Sequence, residues 1–505
     1  MCWRIEPVTD QIERTNDATF ESLDPRTGTT LSTYPVADSA DVAVAVVRAR
    51  SAARWWDAQG FAGRKRWLLE FKSAIARDAA SLATVIAAET GKPDEDSLLE
   101  VMLGVEHLDW AARNAEKTLR QRKVGSGLLA VNQKAYVGYR PFGVVGVIGP
   151  WNYPLYTPMG SIAYALAAGN TVVFKPSELT PGVGVWLAEK WQSLAAPHPV
   201  FQTITGDGST GTALVESGVD KIAFTGSTAT AKKVMATCAK SLTPLVAECG
   251  GKDAMLVDAD ADITAAVEFA TFGAMGNAGQ TCAGVERIYV AAPVYDRFVG
   301  EFTTAVRALK PGGTKTSSYG PMTLSKQSEI VRGQIEDALA KGGKAVVGGL
   351  DSLHGPYVDP VVLTDVPEDS TAITEETFGP TVVVNKVRDL DEGIERANAS
   401  KYGLGASVFT KDGAVGRRAA EKLDCGVVTV NSVLGFAGVP ALPFGGTGDS
   451  GFGRIHGADG LREFSTVKSM TVQSFAAPVN LLTMKRKARN MKLSVLALKL
   501  RHGRG

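Results

Sequence analysis

Residues 144–176 read VVGVIGPWNYPLYTPMGSIAYALAAGNTVVFKP. Val144–Ile148 is a short β-branched run closed by Gly149-Pro150, Ala163–Ala168 carries a helical pattern, and Thr171–Phe174 is a second β run closed by Lys175-Pro176. Strand, turn, helix and strand in that order predict one βαβ unit of a parallel sheet. The alternation returns at Phe201–Thr205 and Ile222–Thr225, which extends the sheet into a nucleotide-binding type of architecture. A second α/β alternation runs from Ala254 to about Val430, with strands expected near Ala254–Val257, Arg287–Val290, Thr381–Asn385 and Val427–Asn431.

Upstream, residues 39–120 alternate apolar and charged positions at helical spacing and form a helical block. After Gly125-Ser126-Gly127, the segment Leu128–Tyr139 alternates with a period of two around Asn132-Gln133 and predicts an exposed β-hairpin. Downstream of Pro443-Phe444-Gly445-Gly446 the chain turns loop-rich before one late strand at Ser465–Gln473. From Ser474 onward there are eight Lys and Arg and no acid, which leaves about −7 on the rest of a chain whose formal charge is +1.

A chain of 505 residues, 45% hydrophobic and 21% charged, holds two or three domains. Its near-neutral balance gives no general attraction to nucleic acid. Five cysteines without CxxC spacing, and no apolar leader after Met1, fit a reduced, cytoplasmic setting. No apolar run reaches the roughly 20 residues of a membrane span, and the five scattered histidines offer no zinc spacing, so no metal is expected.

The chemistry centres on Cys282 in Gly276-Asn277-Ala278-Gly279-Gln280-Thr281-Cys282-Ala283-Gly284, with Glu248-Cys249-Gly250-Gly251-Lys252 upstream. A thiol nucleophile and a carboxylate base on glycine-rich turns suit reversible addition to a carbonyl carbon. Gly206-Asp207-Gly208-Ser209-Thr210-Gly211 matches the dinucleotide fingerprint, but the next strand, Ile222–Thr225, ends in Gly226-Ser227-Thr228 without the acid that holds ribose. We therefore read that motif as a decoy. Lys175 and Glu178, just past a strand, offer a lysine and a carboxylate to ribose hydroxyls, and Gly226-Ser227 at a strand-to-helix turn offers N–H groups and a hydroxyl to a pyrophosphate.

Trp151-Asn152-Tyr153-Pro154, Lys175-Pro176-Ser177-Glu178, Phe224-Thr225-Gly226-Ser227, Glu248-Cys249-Gly250-Gly251-Lys252, Gly279-Gln280-Thr281-Cys282 and Glu376-Thr377-Phe378-Gly379-Pro380 stand in the order seen in NAD(P)-dependent aldehyde dehydrogenases. With Glu89-Thr90-Gly91-Lys92-Pro93 before them and Pro443–Gly446 after, the chain resembles that family over roughly residues 25–473. The resemblance implies Cys282 as nucleophile, Glu248 as general base and Asn152 as oxyanion donor. It places Lys175 and Glu178 at the adenosine ribose, Gly226 and Ser227 at the pyrophosphate, Glu376 with Phe378 at the nicotinamide ribose and ring, and Trp151 in the lining of the cofactor site. NAD is the expected cofactor, with NADP as the alternative, and Glu248 favours water over CoA as acyl acceptor.

The fold this implies is α/β, aldehyde dehydrogenase-like, with two Rossmann-like parallel-sheet domains and a β-hairpin oligomerisation element. Residues 1–126 with 141–247 would bind cofactor, 248–447 would be catalytic, and 127–140 with 463–473 would build a homodimer or homotetramer. Trp-Asn-Tyr-Pro, Lys-Pro-Ser-Glu and Gly453-Arg454-Ile455-His456-Gly457 resemble the broad-range and fatty-aldehyde branch, while Gln280–Gly284 also resembles semialdehyde dehydrogenases. A non-catalytic scaffold on the same fold is the alternative of a different class. Of the other cysteines, Cys249 reads as core packing beside the base, and Cys2, Cys238 and Cys425 as structural. For the tail, 474–505, a solvated segment competes with a helix whose apolar face, from Leu481 and Leu482 to Leu500, opposes its basic side chains and makes peripheral contact with an anionic membrane.

Overall fold

The computed structural model describes residues 18–127, 130–313, 316–477 and 483–503. Cys2, Leu128, Leu481, Leu482 and Arg504 lie outside them. The chain divides into two units, one made of the residues before Leu119 with Pro141–Ser465, the other of Leu119–Arg140 with the residues after Ser465.

In the first unit a hairpin, β1 (Thr19–Leu23) and β2 (Thr30–Pro35), precedes the helical block α1 (Ser39–Ala58), α2 (Gly60–Arg77), α3 (Ala79–Thr90) and α4 (Asp94–Leu119). Asp38 begins α1 with a capping box, accepting from the backbone N–H of Ala40 and Asp41, while its own N–H reaches Asp41. Trp56 on α1 is fully buried and donates its indole N–H to the Leu166 carbonyl at 2.9 Å. Burial of a side chain this size contributes roughly 3 kcal/mol or more, so Trp56 fixes α1 to the helix that carries Leu166, residues 156–168.

The quoted stretch folds as read. β5 (Val144–Ile148), α5 (Tyr156–Ala168) and β6 (Thr171–Lys175) form a βαβ unit with β5 and β6 parallel from Val144↔Thr171 to Ile148↔Lys175. Nearly every residue of both strands is buried, as expected of a parallel sheet covered on two faces. β7 (Phe201–Thr203), β8 (Lys221–Thr225) and β9 (Leu245–Glu248) complete the parallel run in the order β9-β8-β5-β6-β7, and the short strand Gly451–Phe452 adds antiparallel to β9. α7 (Gly208–Glu216) and α8 (Thr228–Ser241) connect the last three strands.

The second sheet has seven strands, in the order 344–347, 361–364, 381–387, β11 (Val285–Ala291), β10 (Asp253–Val257), 405–409 and 427–430. All neighbours are parallel except the edge pair of 344–347 with 361–364. All four strands expected here are present. Gly405–Phe409, between β10 and the last strand, went unread, since Gly405-Ala406-Ser407 carries only a weak β pattern. The last strand stops at Val430 because Asn431 turns into the left-handed region at φ 55°.

The second unit is a three-stranded sheet in the order 465–473, β4 (Gln133–Pro141), β3 (Arg122–Val124). The hairpin lies one arm earlier than the sequence pattern suggests. Its first strand is the short polar Arg122-Lys123-Val124, paired antiparallel with Ala135–Val137, so Gln133 opens the second strand instead of sitting at the centre of the turn. The tail forms a helix, Ala488–His502, that buries none of its residues. At 100° per residue Leu493, Leu496 and Leu500 make one stripe and Met491, Val495 and Leu498 another, with Lys492 and Lys499 between them. The single apolar face expected opposite the basic side chains is therefore not formed. Among the described residues no helix is long and apolar enough to cross a membrane.

Candidate active site

The chain runs from β5 outward through β6 to β7, then returns to the other side of β5 to build β8 and β9. The connections at the carboxyl ends of β5 and β8 therefore diverge, and a crevice opens at that switch point. Its lining follows from the strand ends: Gly149–Asn152 after β5, Lys175 and Glu178 after β6, Gly226 and Ser227 after β8, Glu248 and Cys249 at β9. β6 and β9 are three strand spacings apart, about 14 Å, so one ligand must be long to touch both ends. The cleft holds about 640 Å³ and takes in Cys282, Glu376 and Phe378 from the second half of the chain. Every site residue read from the sequence lies on this one cleft.

Lys175 is buried and its Nζ lies 3.3 Å from Oε2 of Glu178, whose side chain is half exposed at the rim. Burial lowers the lysine's proton affinity, and Glu178 and Asp207 oppose it. Ser227 caps α8 by accepting from the Thr230 N–H, which aims the first turn of that helix at the cleft. Trp151 and Phe378 meet edge to face at 5.5 Å, and Phe378 holds a left-handed φ of 50°. The glycine stretch read as a decoy is not remote, since Gly208 and Gly211 line the same cleft near Lys175.

Cys282 follows a tight turn in which Asn277 and Ala278 both take left-handed backbone, φ 53° and 56°. Gly279 has no room for a side chain, because a Cβ there would overlap the Gly379 carbonyl. Asn152 Nδ2 donates to the Gln280 carbonyl at 3.0 Å and keeps its second N–H uncommitted. The Asn152 carbonyl accepts from buried Lys92 Nζ at 2.8 Å and from Asn277 Nδ2 at 3.3 Å. Lys92 in turn pairs with Glu100 at 2.7 Å, and Glu100 receives the N–H groups of Leu155 and Tyr156. Glu100 went unread, because a glutamate on an amphipathic helix has the look of surface.

Glu248 is buried, 3% exposed, and neither carboxylate oxygen has a hydrogen-bond partner among the described residues. Burial pushes its pKa well above the usual carboxylate range, while Arg454 pulls it down and Glu463 adds to the rise. The Cys282 thiol is pushed up to about 12, by burial first and then by Asp253 and Glu376, with the Ala283 N–H opposing. Glu376 is raised to about 8 by burial and by Glu286; the Gly251 N–H, 3.2 Å away, and Lys252 oppose. Gly250 is required here, since a Cβ would overlap the Glu376 carboxylate. Cys249 is buried beside this group and its thiol, too, is pushed up to about 12, chiefly by burial.

Residues 12–470 match the model of the aldehyde dehydrogenase family. The chain belongs to the aldehyde dehydrogenase family. This aldehyde dehydrogenase is 37% identical over 449 residues to the 4,4'-diapolycopene aldehyde oxidase of a Methylomonas species, covering 88% of the chain and 84% of that protein. It is 37% identical to a Mycolicibacterium smegmatis protein provisionally named succinate-semialdehyde dehydrogenase (NADP+), covering 90% and 89%. The crystal structure of Escherichia coli lactaldehyde dehydrogenase superposes with a TM-score of 0.87 at 30% identity, over 91% of this chain and 97% of that one. The activity is thus NAD(P)-dependent aldehyde oxidation on the aldehyde dehydrogenase fold. The donor set fits such a cofactor, with a lysine and carboxylate at one end of a long cleft, a helix N-terminus in the middle and two aromatic rings beside a thiol.

Proposed function

We propose that this aldehyde dehydrogenase works through a covalent thioester on Cys282, which Glu248 resolves by hydrolysis. The observation that carries the reading is the convergence of Cys282, Asn152 and a buried, unpartnered Glu248 on one cleft. Cys282 Sγ gives its proton to solvent water and adds to the aldehyde carbon, and the oxygen becomes an oxyanion facing the second Asn152 N–H and the Cys282 backbone N–H. Bound NAD(P) supplies the acceptor for the hydride that leaves the same carbon. Glu248 then takes a proton from water, the water oxygen attacks the thioester carbon, and the C–S bond breaks to free the thiol and the acid.

Asn152→Ala is expected to lower kcat roughly 10²- to 10³-fold with little change in the aldehyde KM, because the lost donor acts on charge that appears only during reaction. Steady-state kinetics at saturating cofactor check this. In the same reading Lys175 and Glu178 bind the adenosine ribose, Gly226 and Ser227 the pyrophosphate, and Trp151, Glu376 and Phe378 the nicotinamide end. The half-exposed Glu178 carboxylate favours a ribose diol over a 2′-phosphate, so NAD is the preferred cofactor. Residues up to 247 then serve the cofactor and 248–447 the chemistry, and the exposed edge strand Ser465–Gln473 suits pairing with a second copy.

Tyr156, close enough to Cys282 for their charges to interact, and the stacked Phe436–Phe444 pair, 5.0 Å apart, support an apolar aldehyde, since Phe444 precedes Gly445, where an added Cβ would come within 2.8 Å of Glu248 Oε1. The test is NADH and NADPH formation on a panel from short aliphatic to long-chain and aromatic aldehydes, with succinate semialdehyde included. Higher kcat/KM on the apolar members with NAD is the expected result. Preference for succinate semialdehyde or for NADP would overturn the corresponding half, and no turnover of any aldehyde would favour the scaffold reading.

A further inference from the structure

Glu286 and Arg287 are the charged residues of β11, whose every residue is buried, and the Glu286 side chain is 6% exposed and bonded at both oxygens. Oε2 accepts from Lys252 Nζ at 2.7 Å and from the Thr377 N–H at 2.8 Å, and Oε1 accepts from the Phe378 N–H at 2.9 Å. Lys252, whose side chain is 0% exposed, also donates to Thr377 Oγ1 at 2.7 Å, and Arg287 Nε holds the Lys252 carbonyl at 2.8 Å. From the other side, Gln334 Nε2 donates to the Glu376 carbonyl at 3.0 Å, its Oε1 accepts from Thr377 Oγ1, and Gln327 Nε2 donates to the Thr377 carbonyl. The backbone of Glu376-Thr377-Phe378 is thus gripped on both sides, at the point where Phe378 takes its left-handed φ of 50°.

We propose that Glu286, anchored by Lys252, is a positioning residue for hydride transfer: it fixes the Glu376–Phe378 turn so that the Glu376 carboxylate and the Phe378 ring meet the nicotinamide end of the cofactor in register with Cys282. This rests on the assignment of Glu376 and Phe378 to the nicotinamide end. Two facts point past a merely structural role. A buried ion pair yields little net stability over apolar side chains of equal volume, so what Lys252–Glu286 supplies is geometry. Lys252 stands directly before β10 and its carbonyl is held by Arg287 of β11, so the pair braces the Glu376 turn against the second sheet. Left-handed backbone at a phenylalanine costs energy and persists where surrounding bonds over-determine it, as the two carboxylate acceptors do here.

The test separates the cofactor from the thiol. In Glu286→Gln one of the two backbone N–H groups meets an amide N–H instead of an oxygen. Dissociation constants for NAD and NADP, measured by quenching of tryptophan fluorescence, are expected to rise about tenfold for the preferred cofactor, and kcat for aldehyde oxidation to fall about 10- to 100-fold. A primary isotope effect on kcat with the 1-deuterated aldehyde should appear or grow. Hydrolysis of p-nitrophenyl acetate without cofactor, which needs Cys282 and Glu248 but no hydride acceptor, should stay within about twofold of wild type. Gln334→Ala, which loosens the same turn from its other side, is expected to show the same split in weaker form and decides the matter if Glu286→Gln does not fold. Equal loss of ester hydrolysis and aldehyde oxidation, or cofactor affinity and kcat both unchanged, would overturn the proposal. Loss of ester hydrolysis in Cys282→Ala reports separately on the thioester reading, and cofactor affinity does not depend on it.

Discussion

Cys282→Ala is expected to remove aldehyde oxidation by at least about 10⁴-fold while leaving cofactor affinity near wild type, because no other group takes over the addition step. Acidity does not single this thiol out. Burial pushes Cys249 and Cys425 up to about 12 as well, and Cys238 is also raised. What distinguishes Cys282 is a combination of place: Cys425 is part-exposed too but lies off the cleft, Cys249 lines the cleft but is buried, and Cys282 is both part-exposed and on the cleft, with the Asn152 side chain tied to the carbonyl two residues before it. The substitution removes one sulfur and should leave the melting temperature close to wild type, which separates lost chemistry from lost folding. Intact-mass analysis after mixing with aldehyde and cofactor checks the mechanism: an acyl adduct on wild type and none on the variant. Undiminished turnover by the variant would end the thioester reading.

Glu248→Gln carries the second large effect. Addition and hydride transfer need no base on water, so the variant is expected to release about one NAD(P)H per site in a burst and then to stall, with steady turnover lowered about 10²- to 10⁴-fold. Rapid mixing resolves the burst, and mass spectrometry should find the acyl-enzyme accumulated. The pH dependence has a definite sign. Burial raises the folded pKa of Glu248, so the carboxyl is protonated over more of the neutral range and the ionised, water-activating fraction grows as pH rises. Wild-type steady turnover should therefore climb as pH rises above the ordinary carboxylate range, and the variant's residual rate should lack that limb. A variant that turns over at the wild-type rate would place the base elsewhere.

Most of the cleft was legible in sequence because its parts sit where strands end. β-branched runs closed by Gly149-Pro150, Lys175-Pro176 and Gly226-Ser227 mark β5, β6 and β8, and parallel topology puts their carboxyl ends on one edge. The rest failed for physical reasons. Arg122-Lys123-Val124 has no apolar alternation, so the first arm of the hairpin went unseen. Glu100 and Glu286 are charges that sequence reasoning assigns to water, and only three-dimensional pairing with Lys92 and Lys252 reveals them as internal. The glycine stretch at 206–211 was rejected for want of an acid after the next strand, but its backbone still walls the cleft, because lining depends on where α7 begins as well as on ribose chemistry.

The unpartnered carboxyl of Glu248 also bears on how the molecule endures. A carboxyl whose pKa is higher in the folded than in the unfolded chain favours the fold below its unfolded value, and that contribution is lost as pH rises through the folded value. Asp253, likewise raised well above its ordinary range by burial, acts in the same direction. Under the role proposed for Glu248, alkalinity that frees its carboxylate for hydrolysis erodes conformational stability, so the pH of fastest turnover is expected to lie on the weakening side of thermal resilience.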